Sequence, residues 1–358
     1  MYVHRRASFQ AELCKNRNLG GTLLLKKALA LILAAALACS LVLTGCGGGN
    51  AAAGSASTGA AAAGAQSLTL ATGGTTGTYY AVGGVMSTVL NKKLTKSSLT
   101  VTSTGASKAN IQLLADGEAN LAIVQNDVMH YAATGTDLFE AEGKYESFSS
   151  VCGMYDETVQ LVTTNADIKS VTDLKGKTVC VGDAGSGTEF NAKQVLAAYG
   201  MSFDDITVNN ASFGDSADSL KDGKIDAAFV VAGAPTTAVV DLSTASQVYV
   251  IPVDGAERDS LMKDYAFYTK TTIPAGTYKG QDADVETVSV RATLIAADDV
   301  SEDAVYELVK AMFDNQEELV KGHEKFNNLK LEDATKGIDV KFHPGAVKFF
   351  KEKGIDVA

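Results

Sequence analysis

The body of this chain contains itself twice, and that repeat constrains its fold more than any other feature. Leu68 to Leu90 reads LTLATGGTTGTYYAVGGVMSTVL, and Thr178 onward reads TVCVGDAGSGTEFNAKQVLAAYG. At an offset of 110, each stretch gives a short apolar strand, a Gly/Ser/Thr turn, a shared Gly-Thr (Gly77-Thr78 and Gly187-Thr188) and then a helix. In the first helix Val82, Val85, Met86, Val89 and Leu90 fall on one face. The match resumes at an offset of 106 to 107. Leu99-Thr-Val precedes LADGEANLAIVQ (Leu114 to Gln125), as Ile206-Thr-Val precedes LKDGKIDAAFVV (Leu220 to Val231). Gly117 and Gly223 each sit where a helix ends on a left-handed glycine. Each unit therefore reads β-α-β-α-β, which predicts a mostly parallel sheet with helices on both faces. Two copies and no more predict two lobes, not a solenoid. A length of 358 residues, 46% of them hydrophobic, is enough for two cores.

These matches divide the body into residues 66–155 as a first lobe, 156–264 as a second, and 265–358 as a return to the first. Ser149 to Thr164 joins the lobes, and the apolar strand Thr287 to Ala297 leads the chain back. Two crossings make a hinge. Ser301 caps a helix that repeats apolar residues at Val305, Leu308, Val309, Met312 and Phe313. A last helix starts at Pro344 and stops before Gly354, with His343 capping or packing at its start.

The amino end is an address. Lys26-Lys27, the apolar run Ala28 to Leu43 and the small residues before Cys46 describe a secretory signal over residues 1–45. The run falls short of the roughly 20 residues that span a bilayer; a short membrane anchor is the alternative. Residues 1–25 fit an n-region poorly, which places the natural start near Leu25. Leu43-Thr44-Gly45-Cys46 resembles the bacterial lipobox, implying lipid on the Cys46 thiol. Residues 46–65 are then a flexible Gly/Ala/Ser tether. Without the segment before Cys46, 25 basic residues face 41 acidic ones, a net charge of −16. Such a body suits solubility outside the cell and has no footprint for nucleic acid. Cys152 and Cys180 allow one disulfide or two buried thiols, and the second is favoured.

Ligands of open α/β sheets sit beyond the carboxyl ends of the strands, at helix amino ends. Exposed N–H groups and the positive helix end there suit a carboxylate. The rule selects Gly74, Thr75, Thr76, Gly77, Thr78 and Tyr79 in one lobe, and Gly185, Ser186, Gly187 and Thr188 in the other. Alternatively, these are tight turns whose hydroxyls cap their own helices. Gln125 and Asn126 end the third strand and can hydrogen-bond a polar ligand or serve the turn; Ser107 is a weaker candidate, as is Lys108. Arg291 lies within the return strand, paired with a carboxylate or facing solvent.

Enzyme readings find little support. Thr188-Glu189 stands where a phosphate-binding loop needs Lys-Ser/Thr, and Gly73-Gly74-x-x-Gly77 is not a dinucleotide fingerprint. Ala184 breaks the nucleophile elbow around Ser186. His130, His323 and His343 share no metal spacing. Neither cofactor nor metal is expected, and a hydrolase using Ser186 is the rival reading.

ATGGTTGTYYAVGG (Ala71 to Gly84), LAIVQND (Leu121 to Asp127), GSGTEFNA (Gly185 to Ala192), VVAGAPTTAVVDL (Val230 to Leu242) and KFHPGAVKFFKEKG (Lys341 to Gly354) together resemble the TAXI family. These are the solute receptors of one class of tripartite ATP-independent periplasmic (TRAP) transporters. The resemblance implies a type II periplasmic-binding-protein fold, a monomer that closes like a flytrap, and a carboxylate ligand such as glutamate. It also implies an ion-driven permease as partner. Asn126 replaces the family's Ser, and Ala232 a usual Gly. A sensory lipoprotein on the same fold, without a transporter, is the alternative.

Overall fold

The computed structural model describes residues 66–357; the signal-like segment, Cys46 and the tether lie outside them. The first unit runs β1 (Gln66–Ala71), α1 (Thr78–Leu90), β2 (Ser97–Thr102), α2 (Ser107–Ala115), β3 (Leu121–Gln125), α3 (Asn126–Thr134). The second runs β5 (Thr178–Cys180), α4 (Gly187–Ala198), β6 (Thr207–Asn209), α5 (Phe213–Lys221), β7 (Ala227–Ala232), α6 (Thr237–Ala245), then β8 (Tyr249–Ile251) and α7 (Gly255–Asp264). Between them lies β4 (Phe148–Thr163). After them come β9 (Thr269–Ile273), β10 (Val285–Ala297), α8 (Glu302–Asp314), α9 (Gln316–Gly322) and α10 (Pro344–Glu352).

The sheet order is β2-β1-β3-β10-β4-β7-β5-β6. β1 pairs in parallel with β2 and β3, and β5 in parallel with β6 and β7. The same 2-1-3 order thus recurs in both halves, each bounded by the antiparallel β4 or β10. Both halves carry helices on two faces, and their strands read accordingly. In β7 Ala227, Phe229 and Val231 enter one core while Ala228, Val230 and Ala232 enter another, all six buried.

Packing divides the molecule cleanly. One core takes residues from Leu68 to Tyr155 and from Ala292 to Phe350. The other two flank the second half of the sheet and draw on Val159 to Val290. β4 and β10 change cores side by side, where Asp156, Glu157 and Thr158 pair with Arg291, Val290 and Ser289. This is the two-lobe, two-crossing fold of type II periplasmic binding proteins. Residues 265–290, assigned above to the return, stay with the second lobe: β9 pairs with the first half of β10, and Tyr268, Tyr278 and Val288 pack there.

Local signals are met as the sequence sets them. Gly117 and Gly223 adopt φ of 71° and 68°. Ser301 accepts from Ala304 N, and His343 Nδ1 accepts from Gly345 N one residue after Pro344. Cys152 and Cys180 are free and buried.

Candidate functional site

The amino ends of α1, α2, α4 and α5 converge on one cavity between the lobes. Its walls include Gly74, Gly77, Thr78, Tyr79, Ser107 and Gln125 from the first lobe. Asp183, Ser186, Gly187, Thr188 and Phe213 face them from the second, and Glu157 of the hinge strand closes the floor. The lobes are shut around it. On one side Thr78 Oγ1 donates to Gly233 O at 3.1 Å, and Lys325 Nζ donates to Ala234 O. On the other, Asn191 Nδ2 donates to Asp127 Oδ2 at 3.1 Å, and Gln194 Nε2 to the Tyr131 hydroxyl at 3.2 Å. The space is about 40 Å³, enough for a few water-sized groups of ~10–15 Å³ each.

The cavity offers donors at two ends. α1 begins at Gly77 without a side-chain cap, so the N–H groups of Thr78 and Tyr79 are left to the cavity. α4 begins at Ser186, whose hydroxyl accepts from Glu189 N at 3.1 Å, while Glu189 Oε2 accepts from Gly185 N at 2.6 Å. There the N–H groups of Gly187 and Thr188 remain. Both helix ends carry positive potential.

The middle of the cavity offers acceptors. Tyr79 donates its hydroxyl to Glu157 Oε1 at 2.5 Å, and Gln125 Nε2 lies 3.4 Å from Glu157 Oε2. Gln125 Oε1 is buried without a partner. It lies against Gly187 so closely that a Cβ there would sit 2.0 Å away. Burial pushes the Glu157 carboxyl up to about 8, helped by the charges of Asp127 and Asp156, so it is mostly protonated at neutral pH. Burial, and then Asp215, also raise the Asp183 carboxyl. Among the described residues, no lysine or arginine lines the cavity.

Five of the candidate residues lie outside these walls. Thr75 is exposed. Thr76 turns to the second lobe, where a Cβ on Gly214 would lie 3.1 Å from its hydroxyl. Asn126 accepts from Arg291 N and donates to Gly337 O, and Gly185 is occupied by Glu189. Lys108 pairs with Glu142 at 2.5 Å, away from the cavity. The residue that sequence reasoning missed is Glu157. Its signal was an Asp-Glu pair inside a sixteen-residue strand, where alternation sends Asp156 outward and Glu157 inward.

A family model, that of the NMT1-like family, matches residues 70–354. Solved structures similar to this chain include PhnD1 from Prochlorococcus marinus in complex with methylphosphonate, at 11% identity over 73% of this chain and 90% of that one, TM-score 0.49. The alkanesulfonate-binding protein SsuA from Xanthomonas axonopodis pv. citri bound to MOPS is 13% identical over 82% and 92%, TM-score 0.47. A putative L-cystine ABC transporter from Listeria monocytogenes is 16% identical over 73% and 95%, TM-score 0.47. Likeness at this level carries nothing about the ligand of this chain.

Proposed function

Because this chain belongs to the NMT1-like family, its model matching residues 70–354, we propose that it is the extracytoplasmic solute-binding component of a membrane transporter. The solute is a small carboxylate held between the lobes. One observation carries the reading: helix amino ends from both lobes, uncapped at Thr78-Tyr79 and capped by Ser186 before Gly187-Thr188, line one cavity. The carboxylate takes those N–H groups. The unpartnered Gln125 Oε1 then wants a donor, so an amino acid such as glutamate fits better than a dicarboxylate. The rival hydrolase would need Ser186 as a nucleophile beside a base; its hydroxyl caps α4 and, among the described residues, no histidine lines the cavity.

The finer assignment follows the resemblance of the motifs to the TAXI receptors. The partner is a TRAP-type permease, and lipid on Cys46 holds the monomer to the outer face of the membrane. No described helix is long and apolar enough to cross a membrane. A sensory lipoprotein without a permease would share the cleft and differ in partner.

Calorimetric titration of the purified protein with amino acids and the matching des-amino acids tests the ligand. Saturable one-site binding of a carboxylate without turnover is expected. Response only to sugars, nucleotides or metals would refute the reading. Uptake by vesicles that need this protein and a sodium gradient identifies a TRAP-type partner; uptake that needs ATP identifies an ABC-type one.

A further inference from the structure

A second cavity lies at the hinge, outside the cleft, as a groove of about 600 Å³. One wall is Ala266 and Phe267, just before β9 of the second lobe, with Thr269 at its start; the other is the loop at 336–339, which packs with the first. Between them β10 presents Arg291.

The Arg291 side chain has a route prepared for it. It crosses Gly153 of β4 so closely that a Cβ there would lie 2.3 Å from Nε, which only glycine permits. Its Nε–H is buried and unpartnered. The other charges on the groove are accounted for. Lys336 pairs with Asp333 at 2.8 Å, Asp339 with His130 Nδ1 at 2.6 Å, and Asp156 is exposed to water. Among the described residues the Arg291 guanidinium has neither an ion pair nor a hydrogen bond, although it lines a space large enough for a small organic molecule. A planar fork of donors matches a carboxylate. Phe267 and Ile338, both part-buried, supply apolar wall beside it.

We infer that this groove is a second binding site, for a small organic anion whose carboxylate meets Arg291 and whose apolar body lies on Phe267 and Ile338. The inference does not depend on what the cleft binds. Fluorine NMR with 4-fluorobenzoate, titrated into the whole protein, is the test; neutral 4-fluorobenzamide is the control. Saturable binding of the benzoate is expected, about tenfold or more tighter than the amide, and weakened about tenfold or more by Arg291→Gln. Should Arg291→Gln fail to fold, Ile338→Asp carries the test, because it sets a negative charge on the same wall; it is expected to weaken the benzoate by a similar factor. Excess glutamate should leave the probe in place. The proposal is overturned if a folded Arg291→Gln or Ile338→Asp binds the benzoate like the wild type. Equal binding of the amide, or displacement of the probe by glutamate, overturns it as well.

Discussion

In the first lobe the ligand-facing helix starts at Gly77 with nothing capping it; in the second it starts at Ser186, whose hydroxyl and the Glu189 carboxylate close the turn on itself. Both turns share a Gly-Thr and a place in the repeat, yet their uses of polar groups differ. The uncapped turn leaves its donors free and lends the Tyr79 hydroxyl to Glu157. The capped turn is a finished helix end that contributes backbone N–H groups and a surface without side chain, Gly187, for Gln125 to rest on. Similar sequence patterns thus give a reactive wall and a rigid wall. Glu157, in the strand between the lobes, is held from the first side only.

The largest test of that asymmetry is Glu157→Gln. An acid whose folded pKa exceeds its unfolded value costs nothing below about 4.5, where both states are protonated, and costs more as pH climbs to about 8. Each unit is worth about 1.4 kcal/mol, so the rise amounts to a few kcal/mol. The introduced amide keeps the bond from Tyr79 and does not ionise. The variant should match the wild type in melting temperature near pH 4.5 and exceed it increasingly up to pH 8. Parallel melting curves at all pH values would show that Glu157 is not held protonated.

A smaller effect separates the two turns directly. A methyl on Gly187 meets Gln125 Oε1 at 2.0 Å, whereas one on Gly77 meets Gly74 O at 3.2 Å and Phe213 at 3.5 Å. Gly187→Ala should therefore hold the lobes apart and weaken ligand by roughly 10- to 100-fold, or about 1.4–2.7 kcal/mol. Gly77→Ala should cost less than about tenfold. Equal losses in calorimetry would erase the distinction between the walls.

Much of this was legible beforehand because it is local or periodic. Alternation, helical spacing and the glycines at 117 and 223 set the elements, and the repeat set the lobes. The rule that ligands sit at strand ends led to Thr78 and Gly187, which share the cavity. What escaped depends on which way a side chain turns after distant segments meet. Thr76 and Thr78 are two residues apart, and only the second lines the cavity. Asn126 follows Gln125 and points to the other side of the hinge, toward Gly337, 211 residues away. Glu157 gains its chemistry from burial against Tyr79, 78 residues distant, and no local window contains that pairing.

The smallest predicted effect concerns Ser186, and it divides the structural from the binding role of the capped turn. Ser186 Oγ accepts from Glu189 N at 3.1 Å, the third helical N–H, and loss of such a cap typically costs about 1 kcal/mol. Ser186→Ala should therefore lower the melting temperature of the ligand-free protein, by a few degrees for a body of this size. At the uncapped turn Thr76→Val and Thr78→Val remove no cap and should not show this loss through helix stability; Thr78→Val instead frees the bond to Gly233 O and should act on closure. If Ser186 serves only the helix, ligand affinity referred to the folded variant stays within a few-fold of the wild type. A loss of tenfold or more, beyond what unfolding accounts for, would mean that the hydroxyl leaves Glu189 for the ligand on binding, and the second wall would then be as reactive as the first.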